Sequence, residues 1–254
     1  MQKPLILVTN DDGITAPGIR NLVNFMNEIG DVVVVAPDSP QSGKGHAITI
    51  NQTLTFEEIS LDGPQKDYSL SGTPVDCVKF ALDKILPRKP DLVVSGINHG
   101  ANSSINVIYS GTMSAAVEAG VEGLQAIGFS LLDFSWDADF SQAKEYIQNI
   151  AKKVLENPLP KGVVLNVNIP KLLKDEIKGV KVCRQAQAKW EENFDERIKK
   201  KRKKYYWLTG YFNNMDTGDD ADETALANGY ISIVPVKFDL TAHEELEHLR
   251  KMME

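Results

Sequence analysis

The chain predicts an α/β fold, a doubly wound and mostly parallel sheet covered by helices on both faces. Residues 5–36 read as strand, amphipathic helix and second apolar strand, a βαβ unit. Further apolar runs at 91–96, 126–130 and 162–170 alternate with helical segments up to about residue 180. Beyond that point the alternation stops, which predicts a projecting arm. The expected organisation is an α/β core over residues 1–183 and, in the same structural unit, an arm and oligomerisation segment over 184–254.

Each element has a local reason. Residues 16–29 place Ile19, Leu22, Val23 and Met26 on one face of a helix, and Gly30 ends it. Residues 31–36 are β-branched and apolar on both faces, as strands of a covered parallel sheet are. Pro74 suits the first turn of a helix running to Ile85. Residues 112–119 form a helix of small side chains, 143–155 a clearly amphipathic one, and 162–170 a strand closed by Pro170. The segment 184–218 mixes charged and aromatic residues without clean periodicity and reads as a protruding hairpin. A helix over 222–228 and an alternating strand over 230–236 complete the pattern, the latter suited to packing on another subunit.

Bulk properties narrow the function. The 254 residues suffice for one large α/β domain. A net charge of −7 argues against coating nucleic acid, so a small substrate is expected and no stable nucleic-acid partner. No apolar run approaches the roughly 20 residues that cross a bilayer, and the first residues lack a secretory pattern. The expectation is a cytoplasmic enzyme with no membrane partner. Cys77 and Cys183 have no CxxC spacing and read as free structural thiols in a reducing compartment.

The chemistry concentrates in three loops that follow strands. In the first, Ile6-Leu7-Val8-Thr9 ends in Asn10-Asp11-Asp12-Gly13. Adjacent carboxylates point to opposite faces of a strand, so both reach one ligand only where the strand breaks into a turn. Held together they repel by roughly 4 kcal/mol at a separation of about 4 Å and an effective dielectric near 20. A divalent cation relieves that cost, although an Asp-Asp-Gly turn with a capping Asp is the plainer reading. The second loop, residues 36–46, contains Ser42-Gly43-Lys44-Gly45-His46, with glycines that let amides approach an anion. The third runs from Ser95 through Asn98-His99-Gly100-Ala101-Asn102 towards Tyr109-Ser110-Gly111-Thr112 at a helix start, where unpaired amides suit phosphate.

Asp, Ser and Asn oxygens are hard ligands, so Mg²⁺, Mn²⁺ or Ca²⁺ fits better than zinc. Such a cation polarises a phosphoryl group and holds a nucleophile in line, the logic of a phosphomonoesterase. Gly43-Lys44-Gly45 is not a Walker A loop and by itself reads as a flexible turn. Ser110 and Thr112 also fit simple helix caps. His46 and His99 flank the loops, and structural or substrate-packing roles come ahead of proton transfer.

With these motifs in their order, the chain resembles the stationary-phase survival protein SurE family of metal-dependent nucleotidases. The resemblance rests on residues 8–13, on Ala36-Pro37-Asp38 through Gly45-His46-Ala47-Ile48-Thr49, on residues 95–102 and on residues 109–112. Gly72-Thr73-Pro74-Val75-Asp76-Cys77 and the late stretch from Ala225 to Ser232 extend it over nearly the whole chain. It implies a Rossmann-like core and one divalent cation per subunit, Mg²⁺ or Mn²⁺, held by Asp11, Asp12, Ser42 and Asn98. It also implies a phosphate site at Gly43, Asn102, Ser110, Gly111 and Thr112, and homodimers or homotetramers that exchange C-terminal elements. The chain departs from the family at Ser103-Ser104, where Leu-Gly is common, at Met113-Ser114, and at Ala221, which removes a helix cap worth about 1 kcal/mol.

The expected reaction is hydrolysis of nucleoside 5′-monophosphates, with 3′ esters as a second class, to nucleoside and phosphate. Asp11, Asp12 and Asn98 are the expected catalytic residues, with Asp11 orienting or deprotonating the attacking water. The competing reading is a receiver-like signalling domain that holds Mg²⁺ at paired acids, but the run Asp91-Leu92-Val93-Val94 is followed by Ser95 and Asn98 rather than a phosphoacceptor Asp. A haloacid-dehalogenase phosphatase is set aside because its two acids are separated by one intervening residue, whereas Asp11 and Asp12 are adjacent. The basic run at 199–204 reads as a solvated arm tip ahead of a surface that steers nucleotides, polyphosphate or RNA.

Overall fold

The computed structural model describes residues 3–135, 137–199 and 203–254. Its strands are Leu5–Thr9 (β1), Asp31–Pro37 (β2), Phe56–Ile59 (β3), Lys66–Leu70 (β4), Leu92–His99 (β5), Ala126–Leu131 (β6), Val163–Ile169 (β7), Val180–Val182 (β8), Ala188–Ile198 (β9), Lys204–Asn214 (β10) and Ile231–Lys237 (β11). The helices are Pro17–Asn27 (α1), Pro74–Phe80 (α2), Asn106–Tyr109 (α3), Gly111–Val121 (α4), Lys144–Glu156 (α5), Asp222–Ala227 (α6) and Leu246–Met253 (α7), with a π-helical turn at Ala81–Ile85 continuing α2.

Nine strands form one sheet in the order β3-β4-β2-β1-β5-β6-β7-β11-β8, parallel from β4 through β7. Strand alternation sends Ile6 and Val8 to a core shared with Ile19, Leu22, Met26 and Ile147, and sends Leu7 to the opposite core with Val78, Met113 and Ala116. The sheet is therefore doubly wound, with α1 and α5 on one face and α2 and α4 on the other, as predicted. The chain moves outward from β1 to β2 and β4, then returns to β5 on the other side of β1. That reversal falls at the carboxyl ends of β1 and β5, the topological switch point at which open α/β sheets bind ligands.

Several elements were not legible in the sequence. Strand β4, absent from the predicted elements, carries Lys66-Asp67, and Asp67 is buried because Arg20 on α1 reaches its Oδ1 at 2.7 Å. The late strand β11 lies antiparallel to β7 within this same chain and pairs with the short β8 on its other side. The arm is the antiparallel β9–β10 hairpin, outside the main sheet. In the basic run, Lys200, Lys201 and Arg202 lie outside the described residues. Lys204 pairs with Glu196 at 2.9 Å and the Lys199 amine lies 5.2 Å from the Tyr205 ring centroid, so both are engaged inside the arm.

Candidate active site

The turn after β1 is closed by its own side chains. Asn10 Nδ2 donates to the Gly13 carbonyl at 2.9 Å, and Gly13 has a φ of +99°, a left-handed conformation that favours glycine. Asp11 is buried and Asp12 half-buried. Burial, then the neighbouring Asp12 charge, pushes the Asp11 carboxyl up to about 6, against the pull of hydrogen bonds from Thr112. Burial likewise raises Asp12, opposed by His99. Among the described residues, the buried Oδ2 of Asp12 has no hydrogen-bond partner.

Helix α4 is fitted against these acids. Thr112, fully buried, donates its hydroxyl to Asp11 Oδ1. Gly111 lies so close that a Cβ there would come within 2.7 Å of Asp11 Cβ. Ser110 accepts the Met113 amide at 3.0 Å and so acts as the cap of α4.

Asn98 enters from β5. The register slips by one residue between Ser95 and Asn98, a bulge that re-aims the side chain. Its Nδ2 donates to the Gly100 carbonyl at 2.8 Å and the His99 carbonyl at 3.2 Å, which turns Oδ1 the other way, 3.4 Å from Thr112 Oγ1. The oxygen of Asn98 thus shares the Thr112 hydroxyl with Asp11.

The second loop is tied to the first by the Gln41 amide, which donates to the Asp11 carbonyl at 2.7 Å. Ser42, the next residue, and Gly43 are exposed, and Gly43 has a φ of +73°. Asn102 is buried with its Nδ2 on Ser130 Oγ at 2.9 Å. Asn168 accepts the Asn102 amide at 2.8 Å and Asn166 donates to the Asn102 carbonyl at 2.7 Å. The structure therefore joins Asp11, Asn98 and Thr112 by hydrogen bonds and sets Gly111 against Asp11, with Asp12 beside it in the chain; Ser42 follows the anchored Gln41, and Asn102 is held by Ser130, Asn166 and Asn168. His46 pairs with the buried Glu118 at 2.8 Å, and His99 packs edge-on against Phe140 with Nδ1 3.0 Å from the Ser135 carbonyl.

The sequence reading missed Gln41, Asn166 and Asn168. The last two had a signal, because two asparagines alternating inside an otherwise apolar strand place two amides on one buried face. It also missed Asp222, fully buried on α6, which accepts the amides of Ser104 at 2.8 Å, Ala186 at 2.9 Å and Glu223 at 2.8 Å.

A hard divalent cation fits this donor set: two carboxylates, one of them with an orphaned buried oxygen, and an amide oxygen turned towards them. Among the described residues no three His, Cys, Asp or Glu side chains converge elsewhere or here, so neutral oxygens must complete any shell.

Fold and site together define a class, the doubly wound α/β proteins with paired acids at the switch point of the sheet. The chain belongs to the SurE family. The model of the family described as "Survival protein SurE" matches residues 6–192. The chain is similar to a protein of Christiangramia forsetii named 5′-nucleotidase SurE, 67% identical over 98% of this chain and 96% of the relative. It is 67% identical to a protein of the same name from Flavobacterium johnsoniae over the same shares of each chain. The solved structure of the SurE protein from Aquifex aeolicus superposes with a TM-score of 0.86 at 37% identity, covering 99% of this chain and 100% of the other. The receiver-like alternative is not supported: β4 ends at Leu70 and β5 at His99, so neither ends in a phosphoacceptor Asp.

Proposed function

We propose that the protein is a metal-dependent 5′-nucleotidase that hydrolyses nucleoside 5′-monophosphates, and 3′ esters as a second class, to nucleoside and phosphate. The observation that carries this reading is the Asp11, Asp12 and Asn98 cluster closed by Thr112, in a chain 67% identical to relatives that bear the nucleotidase name. Asp11, Asp12, Ser42 and Asn98 would hold one Mg²⁺ or Mn²⁺ per subunit. Bound there, the cation supplies a Lewis acid that polarises the phosphoryl group and makes water a better nucleophile.

The chain's own residues do the rest. Thr112 fixes the rotamer of Asp11, which orients the attacking water. Ser110 satisfies the Met113 amide, so the start of α4 is held rigid while Gly111 offers its amide to phosphate. The exposed Gly43 amide approaches from the opposite loop. Asn102 acts from a backbone clamped by Asn166 and Asn168.

Assembly as a homodimer or homotetramer is supported by surfaces that this chain leaves uncovered. A two-stranded hairpin alone is marginally stable, and here Phe194, Ile198, Tyr206 and Leu208 share one exposed face of the arm. Helix α7 exposes Leu246, Leu249, Met252 and Met253. A cytoplasmic setting agrees with two free buried cysteines. No helix among the described residues is long and apolar enough to cross a membrane.

The test is phosphate release from AMP with Mn²⁺ or Mg²⁺, with chelator, and in Asp12→Asn. Turnover should require the cation and vanish in the variant while the circular dichroism spectrum is retained. Full activity of Asp12→Asn would reject the site.

A further inference from the structure

Beside the Asn98 loop, the turn after β6 carries an aromatic side chain that the core of this chain does not bury. Phe134 is 84% exposed, yet the turn that presents it is built. Asp133 Oδ1 accepts the Ser135 amide at 2.9 Å and pairs with Lys171 at 3.0 Å. The Ser135 carbonyl meets His99 Nδ1 at 3.0 Å, and the Leu131 carbonyl accepts the Gly100 amide at 2.8 Å. The ring rests on Gly100, where a Cβ would come within 2.2 Å of Phe134 Cε1, and φ there is +93°. Gly100 is also the residue whose carbonyl holds Asn98 Nδ2. One backbone position therefore separates the exposed ring from the amide that lines the reaction centre.

An exposed phenylalanine on a pinned turn contributes little to the core, since most of its apolar surface stays in water. Its face is instead available to a flat, apolar ligand group arriving at the adjacent phosphate site. Base–aromatic stacking supplies such a contact without base-specific hydrogen bonds, because every base has a π-face.

We propose that Phe134 is the stacking surface for the nucleobase, and so a specificity-determining residue; the proposal rests on the nucleotidase reading above. It favours purine over pyrimidine monophosphates, whose smaller rings overlap less with the phenyl face, and discriminates against phosphomonoesters that lack a base.

The experiment compares the metal-loaded wild type with Phe134→Ala and Phe134→Trp, measuring kcat and KM for AMP and competitive inhibition by inorganic phosphate. Phe134→Ala should raise the KM for AMP about tenfold, with little change in kcat and none in the phosphate inhibition constant. Phe134→Trp should restore the wild-type KM. An unchanged KM in Phe134→Ala, or a parallel weakening of phosphate inhibition, overturns the stacking role. Absence of phosphate release from AMP by the wild type rejects the nucleotidase reading itself, a failure distinct from either of these.

Discussion

The fit of α4 against Asp11 makes Gly111→Ala a sharp test of the site. The added Cβ would lie 2.7 Å from Asp11 Cβ and 2.9 Å from its Oδ2, where ordinary contact begins at 3.4 Å, so one of the two must retreat by about 0.7 Å. Neither is free to do so, because Asp11 is held by Thr112 on one side and through its carbonyl by Gln41 on the other. A displacement near 1 Å of a group that positions reactants costs about 10²-fold in rate. The crowding itself should cost about 1–3 kcal/mol of stability. The measurements are kcat for AMP at saturating Mn²⁺ and a urea unfolding curve, with Gly43→Ala as a companion. At Gly43 a Cβ meets nothing within 4 Å, and only its left-handed backbone, φ +73°, is penalised, by about 1–2 kcal/mol. Gly111→Ala with wild-type kcat would refute the claim that α4 sets the position of Asp11.

Other substitutions probe the scaffold. Asp222→Ala leaves three amides without their acceptor and should cost at least about 3 kcal/mol in urea unfolding; a loss near zero would mean that the carboxylate is dispensable. Gly18→Ala places a Cβ 2.0 Å from the Ile97 carbonyl oxygen, so it should destabilise by more than about 2 kcal/mol despite a gain of about 1 kcal/mol in helix propensity. A raised melting temperature would contradict that close approach. Asp76 gives a pH signature. Burial alone would raise its carboxyl, but hydrogen bonds from Thr49 and Thr73 together outweigh burial and hold it below the usual range. Its contribution is complete above its unfolded pKa, about 3.9, and is lost as pH falls through the lower folded value. Urea midpoints should therefore drop more steeply below about pH 4 in the wild type than in Asp76→Asn, and parallel curves would remove Asp76 from the acid response.

The elements that the sequence disclosed are those whose cause lies within the element. The runs at residues 31–36 and 126–130 are strands because they are buried on both faces, and α1 is helical because its apolar positions fall on one stripe. Strand β4 was hidden because its polarity is cancelled by a distant residue: Asp67 becomes a core position only once Arg20 is beside it. Strand β8, three residues long, is too short to carry a period at all. Among the site residues, Asp11 and Asp12 were legible as a pair, whereas the partner of Thr112 was not. A threonine at a helix start reads as a cap, and only the packed structure directs its hydroxyl to Asp11.

The departure at Ser103-Ser104 shows the same division. From the sequence, two serines in a loop carry no stated task. In the structure Ser104 adopts a φ of +52°, its amide reaches Asp222, 118 residues away, its hydroxyl donates to the Ala186 carbonyl at 2.8 Å, and Ser103 donates to Glu223. These bonds join the loop after β5 to the root of the arm and to α6, and they hold a non-glycine residue in a conformation that favours glycine.

The order of residues along the chain determined the layered α/β architecture, the family, and the placing of two acids where a strand ends, because burial period and turn chemistry act between near neighbours. The folded structure alone decided which oxygen of Asn98 turns to the acids, what steadies Asn102, and where Phe134 stands relative to them. Those outcomes depend on how buried polar groups find partners far away in the chain, and a buried donor or acceptor left unpaired costs about 1–3 kcal/mol, enough to select one arrangement among many.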